Sequence, residues 1–245
     1  MTKLILLRHG QSLWNRDKRF TGWTDIGLSE QGKGEAVRAG ELLRADGVEL
    51  DACFTSCLSR SSETLRIVLE TMGRTDVPVQ RSWRLNERHY GALQGLSLWQ
   101  AVRRFGPLLV FGCQRRYAIA PPPLQSPPFE IPPHDPGYAG MPLDAVPRGE
   151  SLRDTLFRVL PLWQDAIEPE LRRGKCVLVV SHRNTLRALV KHLENVSDAD
   201  AAKVKVPTGR PLVYELDERL RPVRRYALKG LPAGADRTVA SERAL

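Results

Sequence analysis

A chain of 245 residues with 42% hydrophobic and 27% charged residues fits one large domain with a substantial core and excludes a disordered or fibrous class. No apolar stretch approaches the roughly 20 residues a membrane helix needs, so no membrane association is expected. The formal charge of +9, from 37 Lys and Arg against 28 Asp and Glu, comes from arginines scattered through the chain with few aromatics between them, a pattern that fits small anionic substrates better than nucleic acid.

The opening MTKLILLRHG runs straight into the first motif. A secretory leader is therefore not expected, and a cytoplasmic protein is. Cys53, Cys57, Cys113 and Cys176 form no C-x-x-C pair, and no His cluster has metal-ligand spacing. Reduced thiols, no disulfide and no metal are the expectation.

In chain order, the apolar run Leu4 to Leu7 reads as a strand buried on both faces, as in a parallel sheet covered by helices. It stops at Arg8, His9 and Gly10, where open α/β sheets place their ligands. Arg8 and the backbone N–H groups after Gly10 are read as a phosphate cradle, with neutral His9 attacking phosphorus. Taken alone, RHG also fits a strand-end histidine bonded to backbone. Thr21 and Gly22 fall in the loop RFTGWTDIGL, from which Thr21 can donate to a bound phosphate or simply serve a turn. Ser29 and Glu30 precede a helical face of Ala36, Val37, Ala39, Leu42 and Leu43.

Leu50 to Ser56 reads as a second strand and SRSSETLRIVLETM as its helix. Arg60 in the first turn opposes the helix dipole unless an anion sits there, which favours a phosphate ligand. A third apolar segment lies around Val77 to Val79. The loop after it holds Arg84, Asn86, Glu87, Arg88, His89 and Tyr90 within seven positions. Beside a phosphate dianion the proton affinity of Glu87 rises, which suits a general acid and base; a paired, ionised carboxylate is the alternative. From about 107 to 147 the chain is proline-rich and reads as an insertion or lid without regular helix, with Arg115, Arg116 and Tyr117 just before the prolines.

ESLRDTLFRVLPLW restores helical periodicity, and KCVLVVSHRNTLRALVKHL repeats the opening design of buried strand, histidine and helix. Two strand ends each presenting a histidine suggest a nucleophile in His9 and, in protonated His182, a stabiliser of the transferring phosphoryl group. Strands are predicted at Leu212 to Leu216 and Pro222 to Leu228. The catalytic domain is placed at 1–229, followed by a small, polar tail at 230–245 that is expected to be mobile.

LLRHGQSLWN, RFTGWTDIGLSEQG, SWRLNERHYGALQG, PPPL, ESLRDTLFRVLPLW, TLRALVK and VPTGRPLVYELD together resemble the histidine phosphatase superfamily, and within it the cofactor-dependent phosphoglycerate mutases, from about Leu4 to Leu228. The resemblance implies a three-layer α/β/α fold with a mostly parallel sheet. It also implies interconversion of 3-phosphoglycerate and 2-phosphoglycerate through a phosphohistidine at His9, primed by 2,3-bisphosphoglycerate. A phosphatase on another small phosphate ester is the alternative. Carried over, Arg8, Arg60 and His182 hold the phosphoryl group, and Glu87 moves the proton. Gly10, Gln11, Ser12, Asn15, Thr21, Gly22, Arg88, His89, Tyr90, Arg115, Arg116, Arg183 and Asn184 form the substrate-binding set. Such enzymes are commonly homodimers or homotetramers. Three positions depart from the pattern: Leu98 stands where a substrate-binding lysine is usual, Gln114 where the first of two arginines is usual, and Arg183 where a glycine follows the second histidine.

Overall fold

The computed structural model describes residues 2–125, 135–142 and 145–228. Strand β1 (Thr2–Arg8) carries Leu4, Ile5, Leu6 and Leu7 with no exposed surface. Alternate side chains point to opposite faces of a strand, so each face needs its own cover. Leu4 and Leu6 pack with Val159, Leu162, Leu186 and Leu189, whereas Ile5 and Leu7 pack with Ala39, Leu43, Leu65 and Val68. The result is a three-layer α/β sandwich.

The helices in order are α1 (Leu13–Arg16), α2 (Glu30–Ala45), α3 (Ser59–Met72), α4 (Leu98–Phe105), α5 (Pro107–Arg115), α6 (Leu152–Leu162), α7 (Glu168–Arg172) and α8 (Arg183–Leu193). Helices α2 and α3 cover one face of the sheet; α6 and α8 cover the other. Ser29, Ser97 and Ser151 accept a hydrogen bond at the N-termini of α2, α4 and α6, which is why those helices start where they do. The remaining strands are β2 (Ala52–Thr55), β3 (Val79–Arg81), β4 (Val177–Ser181), β5 (Leu212–Leu216) and β6 (Pro222–Ala227). Their spatial order is β3-β2-β4-β1-β5-β6. Pairings among β1 to β4 are parallel, and β5 and β6 add an antiparallel edge.

One sequence expectation needs correction. The stretch 107–115 is helix, because Pro107 occupies the first helical position, where its missing N–H costs nothing. Val110 and Cys113 are buried on that helix. The proline-rich character begins only at Pro121. Residues 126–134 and 143–144 of the expected lid, and the expected tail at 230–245, lie outside the described residues. The part described, 135–142, is anchored by the Arg81–Asp135 ion pair at 2.9 Å and by buried Tyr138. Among the described residues no helix is long and apolar enough to cross a membrane.

Candidate active site

Register brings the two histidines together. Arg8 lies opposite Ser181 in the parallel pairing of β1 and β4, so the next residues to leave the sheet, His9 and His182, emerge side by side. Their ring centroids are 4.9 Å apart at 60°. His9 Nδ1 is 2.6 Å from the Gly10 carbonyl oxygen. A carbonyl only accepts, so Nδ1 carries the proton and Nε2 keeps its lone pair. Burial, reinforced by Arg60 and Arg8, holds His9 well below the usual histidine range. The imidazole is therefore neutral at neutral pH, the state a nucleophile requires.

His182 caps α8 without a side-chain bond to it. Its Nε2 is 2.8 Å from Ser56 Oγ, which itself accepts the Leu58 N–H. Nδ1 is buried without a partner among the described residues. Burial first, then Arg60, also pushes His182 well below the usual range. This corrects the expectation of a protonated His182: in the unliganded pocket it is neutral, with Nδ1 left unsatisfied.

Arg60 is 1% exposed and donates to the carbonyls of Thr24 at 3.0 Å and Gly22 at 2.8 Å. Burial pulls its guanidinium down to about 10, so it remains charged. Arg8 donates to Val206 O at 3.2 Å, while its Nε is buried and unpartnered. The backbone amides expected to join them are already used. Gly10 N–H donates to Thr64 Oγ1, Gln11 N–H to Glu35 Oε2 and Ser12 N–H to Asn15 Oδ1. The expected phosphate cradle is therefore left with guanidinium and imidazole groups rather than backbone amides. Gly10 is glycine for packing, since a Cβ there would fall 2.1 Å from the Gly32 carbonyl oxygen.

Glu87 is 7% exposed. Its Oε1 accepts the N–H groups of Arg88 at 2.8 Å and Asn184 at 3.2 Å, and Oε2 accepts no hydrogen bond among the described residues. The loop carrying it hangs on Arg158, whose guanidinium donates to the carbonyls of Trp83, Arg84, Asn86 and Glu87. Arg158 also pairs with Glu150 at 2.6 Å, and Glu150 accepts the His89 N–H at 2.8 Å. Periodicity gave no hint of this pair, because Arg158 sits one residue before core Val159 and reads as a solvated position.

A cavity of about 320 Å³ opens over these groups, and Arg8, His9, Asn15, Thr21, Arg60, Glu87, Tyr90 and Arg183 line it. The other expected binding residues stand behind it. Ser12 Oγ accepts the Asn15 N–H, Gln11 Oε1 accepts from Ser29, and the Gly22 carbonyl holds Arg60. Arg88 donates to Cys113 O at 2.8 Å and stacks over Tyr90, whose hydroxyl oxygen accepts from Asn184 Nδ2 at 2.9 Å. His89 is buried, with Nδ1 accepting the Gly91 N–H.

Arg115 and Arg116, expected to lower cations onto the substrate, are exposed and do not line the cavity; Arg115 stacks on Phe111, and Gln114 is the residue of this stretch that lines it. Three lining residues had no sequence reading as ligands: Lys18, Arg19 and Phe20. Ser56 was also missed, although it ends the second predicted strand, the position that supplies ligands in β1 and β4.

His89 gives the fold a pH dependence. Burial, then Arg158, lowers it from 6.5 to about 4. The unfolded chain binds this proton below about 6.5 and the folded chain does not, so stability is lost as pH falls through that window. At about 1.4 kcal/mol per unit, His89 alone should cost roughly 2 kcal/mol between pH 7 and pH 5. Urea unfolding at the two pH values checks this; equal midpoints would contradict a buried neutral His89.

Two adjacent parallel strands thus end in neutral histidines, with Arg8 and the buried Arg60 beside His9 in the cavity lining. The chain belongs to the histidine phosphatase superfamily (branch 1), whose family model matches residues 4–128 and 134–228. Among solved structures, a mycobacterial glucosyl-3-phosphoglycerate phosphatase is 26% identical over 88% of this chain and 93% of its own, with a TM-score of 0.67. Bacillus stearothermophilus YhfR is 26% identical over 89% and 92%, at 0.68. The α-ribazole phosphatase of Shigella flexneri shares the fold at 21% identity over 91% and 95%, at 0.68.

Proposed function

We propose that the protein hydrolyses small phosphate monoesters through a phosphohistidine at His9. The observation that carries this reading is the neutral His9, with Nε2 free, between Arg8 and Arg60 at the floor of the cavity. His9 Nε2 attacks phosphorus as the ester P–O bond breaks, and protonated Glu87 gives its proton to the departing oxygen. Water then attacks the phosphohistidine, Glu87 takes the proton back, and the P–N bond breaks to release phosphate. Arg8, Arg60 and His182 stabilise charge on the transferring oxygens.

Hydrolysis is favoured over mutase chemistry by the cavity wall. Leu98 and Gln114 line it where the mutases would have cations to retain a phosphoglycerate. Each lost charge-assisted contact removes roughly 1.5–3 kcal/mol of that retention. The glucosyl-3-phosphoglycerate phosphatase, at 26% identity, points the same way. A mutase primed by 2,3-bisphosphoglycerate is the second reading, supported by the motif set around Glu87, Arg88 and Tyr90.

Phosphorus NMR of the protein with 3-phosphoglycerate, with and without catalytic 2,3-bisphosphoglycerate, separates the two. Free phosphate without 2-phosphoglycerate is expected; conversion that depends on the bisphosphate would replace hydrolysis by the mutase reading. Glu87→Gln should lower kcat by about 10²- to 10⁴-fold.

A further inference from the structure

Arg187 on α8 is a buried cation with no part in the reaction outlined above. It is 9% exposed, and burial, then Arg183, lowers its guanidinium to about 10, so it stays charged. No carboxylate pairs with it among the described residues. A buried charge without a counter-ion is costly and persists only where fixed dipoles take the place of water. Two acceptors supply them: the Val204 carbonyl takes Nε–H at 3.0 Å, and Asn184 Oδ1 takes an Nη1 proton at 3.2 Å. Asn184 and Arg187 lie three residues apart on α8, so their side chains meet on one helix face.

The contact with Asn184 decides the direction of a hydrogen bond at the cavity. A carboxamide has an acceptor at one end and a donor at the other, and its two orientations fill the same shape. A guanidinium has no acceptor, so only Oδ1 is tolerated beside Arg187. Nδ2 must then turn the other way, where it donates to the Tyr90 hydroxyl oxygen at 2.9 Å. Tyr90 thus receives a hydrogen bond and keeps its own proton, which no group takes among the described residues. Its ring is held by Phe20, at 5.1 Å between centroids, and by the Arg88 guanidinium, 4.7 Å from the centroid, and it lines the cavity. With the carboxamide reversed, the phenol would donate to Asn184 and turn only lone pairs toward a ligand that is itself rich in oxygen.

We propose that Arg187 is a positioning residue: by fixing the Asn184 carboxamide it commits the Tyr90 hydroxyl to donate into the cavity, toward an oxygen of the bound phosphate ester. The ester rests on the phosphatase reading, whereas the direction of the relay does not, and the test keeps the two apart. Phosphate release from 3-phosphoglycerate is measured for Tyr90→Phe, Arg187→Met and the double variant. The Asn184 carboxamide protons of the same ligand-free proteins are followed by ¹⁵N-edited NMR, assigned by their absence from Asn184→Ser protein.

Tyr90→Phe should lower kcat/KM about tenfold, the effect of one hydrogen bond to a charged ester, and Arg187→Met should lower it by a similar factor. The double variant should lose no more than Tyr90→Phe alone, because Arg187 acts through the phenol. Arg187→Lys, which also can only donate, should recover most of the loss. In the spectra, Tyr90→Phe should shift the bonded Asn184 proton when Arg187 is present and leave it unmoved in the Arg187→Met background. Should the methionine variant melt below the assay temperature, Arg187→Gln, which can offer Asn184 either a donor or an acceptor, serves the same cycle. Losses that multiply in the double variant, or equal shifts in both backgrounds, would overturn the proposal and leave Arg187 a packing residue. Coupled shifts without any phosphate release would leave the direction of the relay standing and remove the phosphatase reading instead.

Discussion

His9→Ala protein should acquire no label from a ³²P-phosphate ester, and its turnover should fall by about 10³-fold or more. The expectation follows from geometry. His9 is the strand-end imidazole whose Nδ1–H is engaged by its neighbour's carbonyl, leaving Nε2 as a nucleophile in a cavity lined by Arg8 and Arg60. His182, 4.9 Å away, does not replace it. Its Nε2 is tied to Ser56 Oγ, and its Nδ1 is buried without a partner among the described residues. Acid-labile label on wild-type protein that is absent from the variant confirms the role. Label persisting in His9→Ala would move the nucleophile elsewhere. The variant should melt within a few degrees of wild type, because the surrounding arginines are held by backbone carbonyls that the substitution leaves in place.

The second large effect is on stability. Arg158→Met removes one partner of an ion pair whose side chains are only 6% and 5% exposed. It leaves Glu150 charged in the interior and deprives the carbonyls of Trp83, Arg84, Asn86 and Glu87 of a donor. Breaking a buried pair from one side costs about 3–5 kcal/mol, far more than an exposed pair such as Arg66 and Glu70 contributes. Thermal unfolding should shift down by roughly 10 °C. Removing both charges, with Arg158→Met and Glu150→Leu together, should recover part of the loss, since no uncompensated charge is then buried. A double variant no better than the single one would show that the carbonyl contacts, not the charge pair, dominate. Activity should suffer in the single variant as well, because the same carbonyls position the loop that presents Glu87.

Much of this chain is legible in its local chemistry. Leu4 to Leu7 read as a strand covered on both faces, Ser29 marks the start of the helix that follows, and the repeated design of apolar strand then histidine points to His9 and His182. These signals are local because hydrogen-bond caps and side-chain periodicity act within a few residues of the chain. They identified the two strands that end in histidine, and the motifs singled out Arg60 and Glu87, which line the same cavity as His9.

What the sequence could not specify is whatever depends on partners far apart in the chain. The opposition of Arg8 and Ser181 across β1 and β4 sets the histidine spacing, and register is a property of two strands packed together. Whether the amides after Gly10 are free for phosphate was decided by Thr64 and Glu35 on neighbouring helices, which take two of them. Whether Arg158 is a surface charge or a buried clamp was decided by Glu150 and four carbonyls of the 83–87 loop. Local sequence determined which groups reach the end of the sheet. Only tertiary packing, by removing water and supplying fixed partners, determined which remain free to meet a substrate and in what protonation state.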